Sequence, residues 1–168
     1  MKARFSEAWV NKNNMNSIPV ANSTVHMQEL ILPNDSNILG NVLGGKVMHL
    51  MDLCAAMSAL KHCRFQVVTA SVDNLDFLAP SKIGDFLILK SSVNYCGRTS
   101  MEVGVRIDTE NRKTGNLKHT ASAYLTFVAI DESGNPVEVP QVKPESKDEL
   151  RRFEEGMKRY KLRKQNRK

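Results

Sequence analysis

The chain carries only three cysteines among its 168 residues. Cys54, Cys63 and Cys96 show none of the close spacing that marks a metal site, and an odd number does not form a disulfide framework. Free thiols in a reducing cytoplasm are therefore expected. The N-terminal stretch MKARFSEAWVNKNNMNS lacks the apolar core of a signal peptide, so export is not expected. No apolar run is long enough to span a bilayer. The sequence has no internal repeats, and its one biased tract is the basic C-terminal end.

What is present fits a single domain with a proper core. The formal net charge of +6 is uneven. Lysine and arginine crowd into Lys147–Lys168, a pattern that invites a nucleic-acid reading. Leu150, Phe153, Met157 and Tyr160 fall at helical spacing within the same segment, however. The expectation is an amphipathic helix that docks by this stripe and turns its charged face to water. Neither nucleic acid nor membrane is expected as a partner.

The most informative stretch is Asn34–Leu60. Polar turn formers lead to the pair Gly44-Gly45. A segment rich in Met, Leu and Ala follows, with no proline, and it reads as a helix. Val47, Met48, Leu50, Met51, Leu53, Ala55, Ala56, Met57, Ala59 and Leu60 make it apolar on nearly every side, as in a helix wrapped by other elements. Cys54 belongs to this packing. Asp52 does not: a carboxylate in such surroundings must be paired, hydrogen-bonded or used. Upstream, the glycines allow a ligand close approach to free N–H groups, where the helix dipole favours negative charge. His49 lies one turn from Asp52 and reads as a packed side chain.

Taken in order, residues 1–21 read as a flexible arm. Ala21–Leu32 reads as a strand, followed by the loop Asn34–Gly45 and a helix ending near His62–Cys63. Further strands are expected over Gln66–Leu78, Phe86–Tyr95, Ser100–Thr109 and Leu117–Ile130, joined mostly by short turns. In Ser100–Thr109, Met101, Val103, Val105 and Ile107 share one face, and Glu102, Arg106 and Asp108 the other. Short turns suit antiparallel pairing. The expected fold is α+β: a curled antiparallel sheet around one central helix over residues 22–140. A C-terminal helix and basic tail occupy 141–168.

The run PNDSNILGNVLGGKVMHLMD resembles the hotdog-fold acyl-CoA thioesterases, in particular their cytosolic acyl-CoA hydrolase branch. VTASVDNLDFLAPSKIGD, GRTSMEV and VPQVKPESKDELRRFEEGMKRY are similar to the same branch, so the resemblance covers about Val25–Tyr160. It implies hydrolysis of fatty acyl-CoA to a fatty acid and coenzyme A, a step in fatty acid metabolism, with no cofactor apart from the coenzyme in the substrate. It implies that Asn37 and a backbone N–H of Gly44 or Gly45 hold the thioester carbonyl, with Asn41 a second choice for the amide. Asp52 is the implied general base or nucleophile. Gly97, Arg98, Thr99 and Ser100 are implied to bind coenzyme A, with Lys82 and the basic tail weaker choices. No metal is implied.

Gly45 and Asp52 lie seven residues apart, about 10 Å along a helix axis. One carbonyl cannot touch both. Two antiparallel helices side by side remove the difficulty, so a homodimer with shared active sites is expected, and the resemblance adds trimers of such dimers. Two other classes stand against this reading. An acyl-CoA sensor should lose Asp52 or add a helix-turn-helix. A hotdog hydratase should place a histidine between Asn34 and Gly45. The chain does neither.

Overall fold

The computed structural model describes residues 17–166. The elements run β1 (Ile18–Pro19), β2 (Val25–Leu30), α1 (Gly44–Cys63), β3 (Gln66–Phe77), β4 (Phe86–Cys96), β5 (Ser100–Glu110), β6 (Leu117–Ile130), β7 (Val142–Lys143) and α2 (Lys147–Asn166). Five strands form one antiparallel sheet in the order β2-β4-β5-β6-β3. This is the expected curled sheet with α1 at its centre.

Alternation along the strands builds the core. Met101, Val103, Val105 and Ile107 of β5 are buried, as are Leu125 and Phe127 of β6 and Leu87 and Leu89 of β4. They meet a stripe of α1 made of Val47, Leu50, Met51, Cys54, Ala55 and Ala59. Burying a side chain such as Leu or Met contributes roughly 1.5–3 kcal/mol. The helix stops at Cys63, because Arg64 takes a left-handed conformation and donates its N–H to Leu60 O.

The sheet covers only one side of α1. Met48, Leu53 and Leu60 on the other side remain 42–48 % exposed. Beside them runs β3, a sheet edge whose Val68 and Val72 are also exposed. An apolar edge strand with unpaired backbone groups is a template for pairing with another chain.

Three local readings change. The strand expected from Ala21 begins at Val25, because a turn of 3₁₀-helix (Val20–Ser23) precedes it. There the Ser23 and Thr24 hydroxyls both donate to Val20 O, which favours the turn. Most of the expected arm lies outside the described residues; Ile18–Pro19 pairs in parallel with β7. Finally, Glu102, on the face of β5 expected to be polar and open, is 1 % exposed.

The C-terminal helix explains Glu102. Phe153 and Tyr160 of α2 dock beside Tyr95, at ring-centroid distances of 5.4 and 5.2 Å. Leu150, expected in the same stripe, is 49 % exposed. Close approach is made by Gly156, where an added Cβ would lie 2.9 Å from Glu102 Oε1. Arg159 then donates to Glu102 Oε1 at 2.7 Å, and Arg163 to Glu102 Oε2 at 3.0 Å and to Asp73. Among the described residues no helix is long and apolar enough to cross a membrane.

Candidate active site

The N-terminus of α1 is left uncapped. Its N-cap residue is Leu43, whose side chain has no acceptor, and among the described residues no side chain caps the first turn. Gly44 and Gly45 are exposed there. Neither has a positive φ. A Cβ on Gly45 would meet nothing within 4 Å, and one on Gly44 would meet only the Phe77 ring, at 3.6 Å. Packing within the chain therefore does not require the glycines. They keep clear the ground in front of free N–H groups and a positive helix end.

Asn37 sits in the loop before the helix. Its Oδ1 accepts the N–H of Leu39 at 2.9 Å and of Asn41 at 3.2 Å. With the oxygen held by the loop, the amide Nδ2 is left as a donor without a partner among the described residues. Asn41 braces the same loop: its carbonyl accepts the Asn37 N–H at 2.8 Å. Asn41, Gly44, Val47 and Phe77 line a cavity of about 360 Å³ beside the helix start. Asn41 and Gly44 thus come together in one place, with the Asn37 loop alongside.

Asp52 does not join them. It is half-buried on the uncovered side of α1, where the sequence suggests a fully buried acid. Thr69 Oγ1 of β3 donates to Asp52 Oδ1 at 2.7 Å. Thr69 is not legible from the sequence: a threonine in an alternating strand is ordinary, and only the packing of β3 beside α1 brings it to the acid. Met48 and Leu53 of α1 are exposed close by in sequence, so the carboxylate stands on an apolar helix face. His49 is exposed and makes no hydrogen bond to Asp52.

The turn Gly97–Ser100 joins β4 to β5. The Gly97 N–H donates to Ser100 O at 2.8 Å. Glycine is required here, because a Cβ would lie 2.8 Å from the Tyr160 ring. Arg98 is open, with Glu138 at 3.8 Å. Arg98, Thr99 and Ser100 line a second cavity of about 270 Å³ together with Tyr160, Arg163 and Lys164 of α2. Lys82 stands elsewhere, bridged to the backbone of Asn41.

Comparison with known proteins shows the family of the chain. Residues 39–116 match the family model of the thioesterase superfamily. An uncharacterized acyl-CoA thioester hydrolase of Bacillus subtilis is 43% identical over 120 residues, which cover 71% of this chain and 70% of that protein. The crystal structure of an apo-hexameric acyl-CoA thioesterase superimposes with a TM-score of 0.86 at 45% identity, covering 89% of this chain and 96% of its own. The acyl-CoA hydrolase of Staphylococcus aureus, solved with butyryl coenzyme A, coenzyme A and coenzyme A disulfide, gives a TM-score of 0.85 at 38% identity, covering 90% of this chain and 93% of its own. Variants of that hydrolase with an Asn, an Asp or a Thr changed to Ala have also been solved. In sequence its Asp follows its Asn by fifteen residues and its Thr follows its Asp by seventeen, the intervals that separate Asn37, Asp52 and Thr69 here.

Proposed function

The chain belongs to the thioesterase superfamily, and from that premise we propose that it hydrolyses fatty acyl-CoA through Asn37, the Gly44-Gly45 helix start and Asp52. It is an acyl-CoA thioester hydrolase. The observation that carries the site assignment is the pairing of an uncapped helix start and an amide whose oxygen is held by its own loop with a carboxylate held by Thr69.

In this reading the thioester carbonyl oxygen accepts hydrogen bonds from the Gly44 or Gly45 N–H and from Asn37 Nδ2. As water adds to the carbonyl carbon, negative charge grows on that oxygen. Each donor there stabilises the transition state by about 3–4 kcal/mol. Asp52 takes the proton from the attacking water. The tetrahedral intermediate collapses, the C–S bond breaks, and coenzyme A leaves as a thiolate that picks up a proton. The alternative is direct attack by Asp52 to give a mixed anhydride, which water then opens. Thr69 fixes the carboxylate in either route. The Gly97, Arg98, Thr99 and Ser100 turn is assigned to the coenzyme.

Asp52 of one copy works with the Asn37 and Gly44 of another. Eight residues separate Gly44 from Asp52, roughly 12 Å along the helix, while reacting groups must lie about 3–3.5 Å apart. The open side of α1 and the edge of β3 support a two-fold partner that covers both. The hexameric neighbour supports a trimer of such dimers. Three free, buried thiols support a cytoplasmic setting.

Thiol release from saturated acyl-CoA substrates of increasing chain length, with Asp52→Ala as control, tests the reading. Release by the wild type that falls at least about a hundredfold in the variant is expected. A wild type inert on every chain length would refute it.

A further inference from the structure

Lys46 breaks the ordinary charge rule for helices. It stands in the first turn of α1, which carries no acidic residue. A cation there faces the positive end of the helix dipole, where acids are the favourable choice. The side chain resolves the conflict through two acids outside the helix. Its Nζ donates to Glu29 Oε1 of β2 at 3.2 Å and lies 3.3 Å from Asp35 Oδ1. The side chains of Lys46 and Asp35 are only 27 % and 14 % exposed, so water screens the pair in part. An ion pair in such a place is stronger than one in open solvent.

Asp35 forms the neck of the loop that carries Asn37. Its Oδ2 accepts the Leu32 N–H at 3.2 Å, and its carbonyl accepts the Leu43 N–H at 2.8 Å. Beyond that neck, Ser36 bridges to Val42, and the Asn37 N–H donates to Asn41 O at 2.8 Å. The loop is thus a small hairpin with Asn37 near its base. Its far side is tied to the segment before β4: the Val42 N–H donates to Ser81 O, and Gly40 O accepts the Ile83 N–H. Its ion pair with α1, among the described residues, is the one between Asp35 and Lys46. That pair joins the base of the hairpin to the turn of helix that begins with Gly44 and Gly45.

We propose that Lys46 is a positioning residue for catalysis: through Asp35 it sets where Asn37 stands relative to the Gly44-Gly45 helix start. The proposal rests on the hydrolase reading, in which Asn37 and the helix start hold one carbonyl oxygen. Two donors stabilise one oxygen fully only when both are aimed at the same point. A misplacement of about 1 Å costs on the order of a hundredfold in rate. Glu29 completes the arrangement by holding the ammonium against β2, so Asp35 is braced on a strand as well as on a helix. Lys46 also offsets the charge of two carboxylates that would otherwise oppose negative charge growing at the helix start.

The test uses the full chain and three variants: Lys46→Met, Lys46→Arg, and Lys46→Met combined with Asn37→Ala. Methionine keeps the length and helix preference of lysine, so the fold should survive, and thermal melting checks this. In steady-state thiol release, Lys46→Met should lower kcat by about tenfold to a hundredfold and change KM by less than about twofold. Lys46→Arg keeps the charge and should restore most of the rate. The decisive comparison is with Asn37→Ala, whose residual rate is followed at high enzyme concentration. There Lys46→Met should cost less than about threefold, because the group it positions is already gone. An equal loss in both backgrounds would make Lys46 a structural residue and overturn the proposal, as would a Lys46→Met enzyme with wild-type kcat. Hydrogen exchange gives a readout that needs no activity. The Leu43 and Asn37 amides should exchange at least about fivefold faster in Lys46→Met while the strands of the sheet keep their protection. Unchanged exchange at both overturns the proposal whatever the kinetics. A wild type that releases no thiol would sink the hydrolase reading, and the exchange result would then decide separately whether Lys46 holds the loop.

Discussion

Thr69 Oγ1 and Asp52 Oδ1 are 2.7 Å apart, a hydrogen bond that ties the edge strand of the sheet to the open side of the central helix. It leaves Oδ2 without a partner among the described residues, so one carboxylate oxygen is anchored and the other is available. A hydrogen bond to a charged group is worth about 1.5–3 kcal/mol, which corresponds to roughly 10–150-fold in rate if it is lost in the transition state. Thr69→Val should lower kcat by that range in steady-state thiol release. Thr69→Ser should restore most of it, because the hydroxyl is kept. A Thr69→Val enzyme with wild-type kcat would remove this bond from the mechanism.

Gly45 gives a separation of stability from activity. Its missing Cβ faces open space, and alanine is the better helix residue by up to about 1 kcal/mol. Gly45→Ala should therefore melt at or slightly above the wild-type temperature. Its kcat/KM on acyl-CoA should nevertheless fall, because the new methyl stands in front of the helix-start donors. Calorimetry and steady-state kinetics on one preparation check both halves. Lower stability with unchanged kinetics would mean that the glycine serves the fold instead.

The contrast between Gly45 and Glu102 shows what a sequence can reveal. Gly45 and Asp52 lie in one continuous stretch whose period and composition announce a helix, so their order and spacing can be read along the chain itself. The strands from Gln66 to Ile130 are likewise written in alternation and turn residues, and their bounds move by no more than a residue. Glu102 is different. Alternation puts it on a polar face, yet Gly156, Arg159 and Arg163, more than fifty residues away, cover and neutralise it. Thr69 escapes a sequence reading for the same reason. Its partner is set by how the edge strand packs beside the helix, and nothing local encodes that. The depth of Asp52 is equally hidden, since an apolar run reads alike whether a sheet or a second copy covers it.

His62 makes stability depend on pH. It is fully buried at the end of α1, and its Nε2 lies 3.0 Å from Pro140 O, which fixes the N–H on Nε2. Nδ1 is buried without a partner among the described residues. Burial holds the imidazole below its ordinary value of 6.5, and the bond to Pro140 opposes this only in part. The unfolded chain therefore takes up a proton near that value while the folded one does not. Stability from this group is full above the unfolded value and is lost as pH falls below it. The melting temperature should drop between about pH 7.5 and pH 5.5. His62→Gln, which keeps a donor for Pro140, should flatten that dependence. An equal slope in the variant would assign the effect to other groups.

Subunit exchange between two crippled chains tests the divided site most directly. Asp52→Ala and Asn37→Ala are each prepared alone, shown to be nearly inactive, then mixed under conditions where exchange is verified by mass. If each site takes Asn37 and Gly44 from one copy and Asp52 from its two-fold partner, a mixed dimer holds one doubly damaged site and one intact site. Random exchange makes about half of the dimers mixed. Activity should then return to about a quarter of the wild-type value per site. Verified exchange with no return of activity would contradict the divided site, and would require Asp52 to act with donors of its own chain.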